Sequence, residues 1–422
     1  LLYMLSGIVD TLMLSSVNDQ AVGAVGTANT YIGIFIIMFS VISSGMVAVM
    51  TQNIGADRPG VAYQARQLGL AFNAVLGVIM SLFLSLGAGT ILSGVGVADA
   101  LMQPAKTYLQ IVGGFCILNA LIPICSSYLR AFGFSKEPLY ASIIGNVINF
   151  CLNAFFLFVL HKGVAGVATA TVISRIINLV IVVLLGAVLV KAKQHPERES
   201  NRAVMGQIIR IGLPSACETA IYNVSMTLVI RFLNQMDAQG LNVTARSYTM
   251  QITNFSYCVG AALAQANAIM TGWHIGAKEY DACDRGTKKA AVIGVIVAVI
   301  LETVFTLCSG WIMQLFSKDP QMVSLVGKLL AIDIVLEIGR VTNLVYGQAL
   351  KTSGDAVFPV VMGACFMILC SVGGTYLFGI RLGLLAVGAY IGMTGDECVR
   401  AVGMYLRWKS GKWKEKGLVK SR

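Results

Sequence analysis

One acidic residue, Asp10, lies inside an otherwise apolar stretch that runs from Leu1 to Leu14. A charged side chain near the centre of a transmembrane helix costs roughly 2.5–3.5 kcal/mol on insertion scales, so a partner, water or a proton must offset that cost. The stretch therefore predicts that Asp10 alternates between a charged and a neutralised state, which is the chemistry of a cation or proton site. The alternative is an aspartate at a helix end that reaches the lipid headgroups.

Amide and hydroxyl side chains form a second group of candidates. Asn149 and Asn153 are four residues apart and share one helix face, and Thr171 lies on the next apolar segment. Carboxamides in hydrocarbon require partners, and a carboxylate or a hard cation would satisfy both. Oxygen ligands of this kind suit Na⁺ or a hydrogen-bond network switched by a proton. The alternative is hydrogen bonding between helices that only stabilises the fold.

Further acids lie in apolar segments of the second half of the chain. Glu218, Asp333 and Glu337 are the candidates for a second carboxylate site. Asp333 and Glu337 are four residues apart and of like sign, so if both are buried one of them should hold a proton at neutral pH. The alternative is a structural ion pair, because Arg340 follows Glu337 by three residues.

Three other positions carry charge in apolar surroundings. The set Asp396, Glu397 and Arg400 has the spacing of a local ion-pair group and is interpreted as structural. Arg175 and Glu302 are single charges for which the sequence indicates no partner.

The composition defines the elements that must hold these residues. Of the 422 residues, 56% are hydrophobic and only 12% are charged, and the mean hydropathy is +0.76. Soluble domains carry about 25% charged residues. The apolar residues form continuous runs rather than alternating ones, which excludes a β-barrel and predicts transmembrane helices of roughly 20 residues each. The fold class is therefore an all-α polytopic membrane protein.

Hydropathy predicts twelve spans, six on each side of a polar stretch. The predicted spans are 1–17, 22–52, 66–92, 104–129, 138–160, 164–190, 208–232, 242–271, 287–315, 322–350, 357–380 and 383–406. These spans define an N-terminal six-helix lobe (residues 1–190), a cytoplasmic linker (191–207), a C-terminal six-helix lobe (208–406) and a basic tail (407–422). The chain begins without Met, from which we expect that a few residues precede it.

The basic residues orient the chain in the membrane. Of 31 Lys and Arg residues, 21 fall on one side of the predicted spans, counting the tail. By the positive-inside rule that side is cytoplasmic, and both termini lie there. We expect the cell membrane as the location, the lipid bilayer as a partner, a monomer, and no nucleic acid, because topology accounts for the net charge of +11.

An internal repeat relates the two halves. Leu129, Arg130, Gly133 and Pro138 match Leu350, Lys351, Gly354 and Pro359 at an offset of 221 residues. The same offset brings Ile54-Gly-Ala onto Ile275-Gly-Ala. Six spans per half make the second half a parallel repeat of the first, an arrangement that transporters use for alternating access.

Motifs for other chemistry are missing from the sequence. The ten cysteines form no CxxC pair and the three histidines are scattered, so neither disulfides nor a metal site is expected. No Ser/His/Asp set, phosphate-binding loop or dinucleotide motif occurs, and we expect neither an enzyme nor a cofactor. Without a nucleotide-binding domain, an ion gradient is the energy source that remains for active transport.

Several of these motifs resemble one known family. Gly7-Ile-Val-Asp10-Thr-Leu-Met, Ala21-Val-Gly-Ala-Val-Gly26, Gln52-Asn-Ile-Gly-Ala56, Arg130-Ala-Phe-Gly133, Gly163-Val-Ala-Gly-Val-Ala-Thr-Ala-Thr171 and Gly354-Asp355 are similar to the multidrug and toxic compound extrusion (MATE) family. The resemblance covers nearly the whole chain. It implies efflux of small organic, often cationic, compounds in exchange for transported Na⁺ or H⁺.

The resemblance also implies site residues. In the family, an aspartate of the first span, polar residues of the fifth and a threonine of the sixth form the cation site, and Asp10, Asn149, Asn153 and Thr171 match them. Many members have a carboxylate where this chain has Asn153, which leaves the choice between Na⁺ and H⁺ open. Some members use acids of the seventh and tenth spans, near Glu218 and Glu337 here. Alternative functions are a flippase for a lipid-linked saccharide, disfavoured by the few basic residues inside the spans, or an intramembrane enzyme.

Overall fold

The structure is a computed structural model. It describes residues 13–14, 19–94, 97, 99–191, 196–237, 240–314, 316–317 and 319–419. The first predicted span therefore lies outside the described residues, except for Met13 and Leu14, which are helical.

Long helices account for nearly all of the described chain, and no strand occurs in it. In the N-terminal half they are α1 (Asp19–Gly55), α2 (Pro59–Leu86), α3 (Asp99–Tyr108), α4 (Ile117–Ala131), α5 (Lys136–Ala154) and α6 (Gly163–Leu189). In the C-terminal half they are α7 (Asn201–Met236), α8 (Leu241–Gly276), α9 (Tyr280–Leu307), α10 (Pro320–Thr352), α11 (Val357–Phe366) and α12 (Leu385–Lys409). Short helices cover Ala88–Gly94 and Ser309–Met313.

Several helices extend beyond their hydropathy-based boundaries. α2 begins at Pro59 rather than residue 66, and α7 begins at Asn201, inside the segment predicted as a linker. The reason is that hydropathy marks only the apolar part of a helix, whereas backbone hydrogen bonding continues into polar turns beyond it. Pro59 supports the early start, since its missing N–H and fixed φ suit a first helical position.

Irregular backbone interrupts three of the predicted spans. The predicted span 104–129 consists of α3 and α4, which meet at a bend of 42° after the π-helical segment Leu109–Gly113. π-Helical turns also continue α5 through Phe155–Val159, and α11 through Met367–Val372 and Thr375–Arg381. Such turns leave the regular hydrogen-bond pattern and frequently occur at functional positions.

Apolar residues cover the outer faces of the helices. Leu86, Val188 and Leu307 are more than 70% exposed, as expected for side chains that face lipid rather than water. Within the described residues, six helices are long and apolar enough to cross a membrane, or seven if α3 and α4 count as one span. The other long helices carry more polar side chains, and in α8, α10 and α12 several of these are buried.

The chain divides into two compact units, described here separately. The N-lobe comprises residues 1–54 and 58–212, and the C-lobe comprises residues 55–57 and 213–422. In the N-lobe, the apolar core contains Ala28, Leu84, Leu109 and Val167. In the C-lobe, one apolar core surrounds Val229, Leu329 and Tyr390, and a second surrounds Val345 and Trp408.

The residues that carry the internal repeat occupy equivalent turns in the two lobes. Gly133 follows α4 with φ +89°, and Gly354 follows α10 with φ +100°, values that favour glycine. At Gly354 a side chain would also collide with the backbone carbonyl of Lys416.

A docked tail closes one end of the C-lobe. The ring of Trp413 stacks on that of Trp408 at a centroid distance of 4.1 Å, and both are buried. The carboxylate of Asp355 accepts hydrogen bonds from Arg407 Nε and Lys416 Nζ, each at 2.7 Å. Burial alone raises the pKa of Asp355, but these two hydrogen bonds outweigh it and hold the pKa below its usual value. We use the name docked tail for residues 410–418.

A comparable contact occurs in the N-lobe, between the polar segment 196–201 and the start of α2. Arg58 forms an ion pair of 2.7 Å with Glu199, and Arg198 donates to the carbonyl of Gly60 at 2.9 Å. Gln64 donates to Asn201 Oδ1 at 2.6 Å. The segment that follows the sixth predicted span is therefore held against its own lobe by polar contacts.

Candidate functional site

The predicted amide and hydroxyl ligands lie on two neighbouring helices of the N-lobe. α5 packs along α6, with Gly145 of α5 against Asn178 of α6. Asn149, Asn153 and Thr171 are each at most 7% exposed. Their burial inside apolar helices means that their polar atoms depend on partners within the lobe.

Hydrogen bonds orient these side chains. Asn153 Nδ2 donates to Asn149 Oδ1 at 3.3 Å, so the two carboxamides form one unit on the α5 face. The Thr171 hydroxyl donates to the carbonyl of Val167 at 2.9 Å, which leaves the lone pairs of its oxygen available as an acceptor. Such oxygens can ligate a hard cation. Asp10, the predicted charged member of this set, lies outside the described residues.

The C-lobe interior contains a larger group of charged side chains, which we call the charged cluster. It consists of five carboxyl groups and two guanidinium groups: Glu302, Asp333, Glu337, Arg340, Asp396, Glu397 and Arg400. They come from three helices, and α10 packs against both of the others, α9 and α12. Acids and bases at this depth are expected to pair or to take part in transport.

Part of the charged cluster is a continuous chain of ion pairs. Arg340 Nη1 lies 2.7 Å from Glu337 Oε2, and its Nε lies 3.8 Å from Glu397 Oε1. Arg400 binds the same Glu397 oxygen at 2.8 Å and also binds Asp396 at 2.8 Å. The predicted ion pairs within α10 and within α12 are therefore present, and Glu397 links them.

Hydroxyl and amide groups complete the chain of ion pairs. Ser371 donates to Asp396 at 2.9 Å, and Asn343 donates to Glu397 at 3.0 Å. Charges that are both paired and hydrogen-bonded lose much of their burial cost. This part of the cluster is accordingly suited to a fixed structural role.

Two acids of the cluster differ from the rest. Neither carboxyl oxygen of Glu302 has a hydrogen-bond partner among the described residues, and Asp333 Oδ2 has none either. Glu337 Oε1 also lacks one, but the other oxygen of Glu337 forms the ion pair with Arg340. The hydroxyl of Ser256 is near Glu302 but outside hydrogen-bond geometry. Burial of an unpartnered carboxylate is costly, and the cost disappears when the group takes a proton or a cation.

The structure brings together only part of the predicted set of Glu218, Asp333 and Glu337. Asp333 and Glu337 lie together in the charged cluster, but Glu218 forms an ion pair with Lys351 at 2.5 Å. Glu302 joins the cluster because α9 packs against α10, a contact that no local spacing indicates. The sequence signal for Glu302 is that a charged residue lies within a predicted apolar span.

The described residues contain no group of three or more His, Cys, Asp or Glu side chains placed to hold a metal ion. Any cation bound among them would therefore depend on amide, hydroxyl or carbonyl oxygens together with one or two carboxylates.

Long apolar helices in two repeat-related lobes, with buried polar and charged side chains inside each lobe, define a membrane transporter. The family model MatE matches residues 1–155 and 214–377, and the chain belongs to this family, the MATE transporters. The chain is therefore a transporter and not an enzyme.

Individual relatives match over almost their full length. The uncharacterized transporter YisQ of Bacillus subtilis (strain 168) is 34% identical over 424 residues, which cover 99% of this chain and 93% of that protein. A probable multidrug resistance protein NorM of Thermotoga maritima is 22% identical over 435 residues, covering 99% and 91%. A crystal structure of MATE in the straight conformation matches with a TM-score of 0.88 at 19% identity, covering 98% and 93%. The all-α fold of twelve transmembrane helices is thereby confirmed.

Proposed function

We propose that the protein is a secondary active multidrug efflux antiporter that exchanges organic, often cationic, compounds for Na⁺ or H⁺ by alternating access. Membership of the MATE family supports transport, and relatives named multidrug resistance proteins support the cargo class. The observation that carries the coupling site is the buried Asn149–Asn153 pair on α5, beside the helix that carries Thr171.

The coupling ion is proposed to bind in the N-lobe at Asp10, Asn149, Asn153 and Thr171. The amides and the hydroxyl supply neutral oxygen ligands, and Asp10 supplies the negative charge. If the ion is H⁺, the same groups act as hydrogen-bond partners of the protonated acid. Either ion neutralises a carboxylate that apolar surroundings disfavour.

A second ion site is proposed in the C-lobe at Asp333 and Glu302. The predicted set of Glu218, Asp333 and Glu337 is changed in this proposal because Lys351 and Arg340 already neutralise Glu218 and Glu337. Asp333 and Glu302 also keep unpartnered carboxyl oxygens, and neither forms an ion pair within 4 Å among the described residues, so a proton or cation would stabilise them most.

Coupling requires that the ion bind the two conformational states with different affinity. A ligand shifts a conformational equilibrium only through such a difference. In the proposed cycle, ion binding favours the state that releases the drug, and return to the inward-open state releases the ion. The proposed location is the cell membrane with both termini cytoplasmic, as the distribution of basic residues predicts.

Everted membrane vesicles provide the test of this function. A fluorescent organic cation is loaded, and a Na⁺ gradient or a pH gradient is imposed alone. We expect one gradient to drive transport, and Asp10→Asn to abolish it. Asp57→Asn is the matched control, because Asp57 is exposed and has φ +56°, which asparagine tolerates. Transport that persists in the Asp10→Asn variant would refute the coupling assignment, and absence of transport with either gradient would refute antiport.

A further inference from the structure

Arg246 on α8 is a buried cation without a counter-charge among the described residues. The residue is only 6% exposed. In the described part of the chain its Nε has no hydrogen-bond partner, and its Nη2 donates to the thioether sulfur of Met226, at 3.8 Å. A thioether is a weak acceptor and carries no charge, so it does not neutralise a guanidinium group.

No acid of the C-lobe pairs with Arg246. All Asp and Glu residues of this lobe lie within the described ranges, because the undescribed positions after residue 212 are Ala238, Gln239, Leu315, Lys318, Lys420, Ser421 and Arg422. The nearest acid along the chain, Asp237, accepts hydrogen bonds from the backbone of Leu241 and Asn242 at the start of α8. The lack of a carboxylate partner is therefore a property of this lobe.

The two arginines of the charged cluster behave differently. Arg340 binds Glu337 and Arg400 binds Asp396 and Glu397, all at 2.7–2.8 Å. The lobe thus has an excess of acids, yet none of them is placed at Arg246. This contrast indicates that Arg246 is not a third member of the structural ion-pair chain.

The contact between α8 and α12 places a second polar group on the same side as Arg246. Asn242 and Arg246 share one face of α8, and Asn242 Oδ1 accepts a hydrogen bond from Ala386 at the start of α12. One turn further along both helices, Arg246 of α8 and Tyr390 of α12 occupy the corresponding positions, which places the Tyr390 hydroxyl in the neighbourhood of the guanidinium group.

We propose that Arg246, with the Tyr390 hydroxyl, is an anion-binding site that takes a carboxylate group or a small monovalent anion such as chloride. Arginine stays charged at every physiological pH, so the site cannot be neutralised by losing a proton. Its planar donors match a carboxylate, and an intramembrane charge without a partner is a candidate site for a ligand. The apolar residues Met226 and Ala245 next to it exclude bulk water from the contact.

The anion has two possible sources, a free ion or the carboxylate of an exported compound, and the test separates them. In the first arm, the unfolding temperature of purified protein is measured in chloride and in bulky gluconate at equal ionic strength. A bound chloride raises the midpoint by about 3–5 °C at saturating concentrations. We expect this shift in the wild type and not in Arg246→Met.

In the second arm, everted vesicles transport rhodamine 110, which has a free carboxylate, or its methyl ester rhodamine 123. This arm rests on the proposed function. If the substrate carboxylate binds Arg246, Arg246→Met lowers rhodamine 110 transport about tenfold relative to rhodamine 123. Wild-type protein that fails to move rhodamine 123 would refute the proposed efflux function, whereas the chloride arm would still decide the anion site.

Two further variants keep the test decisive. Arg231→Met, at an exposed arginine of α7, should change neither the chloride shift nor the dye ratio. Arg246→Lys keeps the charge and is measured in case the methionine variant does not fold; we expect it to weaken the chloride shift or the dye preference without abolishing it. A chloride shift and a dye ratio that are both unchanged in the Arg246 variants would overturn the proposal.

Discussion

The interiors of the two lobes differ in the kind of polar side chain that they bury. Every buried polar residue described in the N-lobe is neutral, among them Asn73, Asn149, Asn153 and Thr171. The C-lobe buries acids and arginines along four helices, α8, α9, α10 and α12. Two halves with the same helix order and matching Gly133 and Gly354 turns have therefore acquired different electrostatics.

This difference separates two ways of treating charge inside a membrane. In the C-lobe, Arg340 and Arg400 supply fixed counter-charges, so most of the charged cluster keeps one ionisation state. In the described part of the N-lobe no such counter-charge is buried. The net charge of its predicted site would then depend on whether Asp10 carries a cation or a proton. In a neutral interior, the binding of one cation changes the entire net charge of the site. Such an interior therefore suits a coupling site that alternates between two charge states.

The largest effect is expected at Asp10. Asp10→Asn removes the ionisable group of the N-lobe while preserving its size, and gradient-driven dye transport should fall to the level of vesicles that lack the protein. Glu302→Gln in the C-lobe is the comparison, with an expected decrease of about tenfold or less. If the order were reversed, the C-lobe would be the principal coupling site. Transport rates in everted vesicles measure both variants.

Next in size is the loss of a fixed counter-charge in the C-lobe. Arg340→Met leaves Glu337 buried without its partner at 2.7 Å, and breaking a buried pair costs about 3–5 kcal/mol. Thermal unfolding in detergent should show the loss, and the double variant Arg340→Met with Glu337→Gln should recover most of it. Lys288→Met, which breaks an exposed pair with Asp284, should cost less than about 1 kcal/mol. Equal effects of the two single variants would contradict a fixed structural role for Arg340.

The N-lobe amides should produce an intermediate effect. Asn149→Ala or Asn153→Ala removes one neutral oxygen, and the concentration of coupling ion required for half-maximal transport should rise about tenfold, or about 1.4 kcal/mol. The half-buried Asn146 of the same helix is the control, and Asn146→Ala should change this concentration less than twofold. An unchanged ion requirement in both amide variants, with reduced stability only, would favour the structural alternative.

The smallest effect concerns Asp355 and the docked tail. Because its pKa is lowered in the folded protein, Asp355 contributes stability above its unfolded-state pKa of about 4, and this contribution is lost as the pH falls through the lower folded-state pKa. Asp355→Asn keeps one acceptor oxygen and should therefore loosen the tail at neutral pH by about 0.5–1 kcal/mol. The fluorescence of the stacked Trp408 and Trp413 reports this loosening. A variant whose fluorescence at pH 7 equals that of the wild type would show that Asp355 does not hold the tail.

Local spacing in the sequence predicted some features of the site and not others. The Glu337–Arg340 and Asp396–Arg400 pairs follow from positions three or four residues apart on one helix. The bridging role of Glu397 depends on the packing of α12 against α10, which spacing does not encode. The helices themselves follow from hydropathy, but their polar ends do not, since Asn201–Gln207 looks like linker sequence and is helical.

For the tail, composition alone predicts a basic segment in solvent. Its lysines indicate a solvated, basic end, whereas Trp413 and Leu418 are buried against the C-lobe. The spacing of Trp408 and Trp413 was the signal against that interpretation. In this segment the aromatic residue Trp413, rather than the net charge, indicates that the tail packs against the C-lobe.

The position of the docked tail has a consequence for copies of the protein that lack it. Trp413 and Lys416 follow the last long helix of the C-lobe, and they cover Trp408 and bind Asp355. A chain that stops at Lys409 would expose the ring of Trp408 at one end of the lobe and leave Asp355 with Arg407 as its one remaining basic partner. Quality-control proteases could then distinguish truncated copies from complete ones by that end alone.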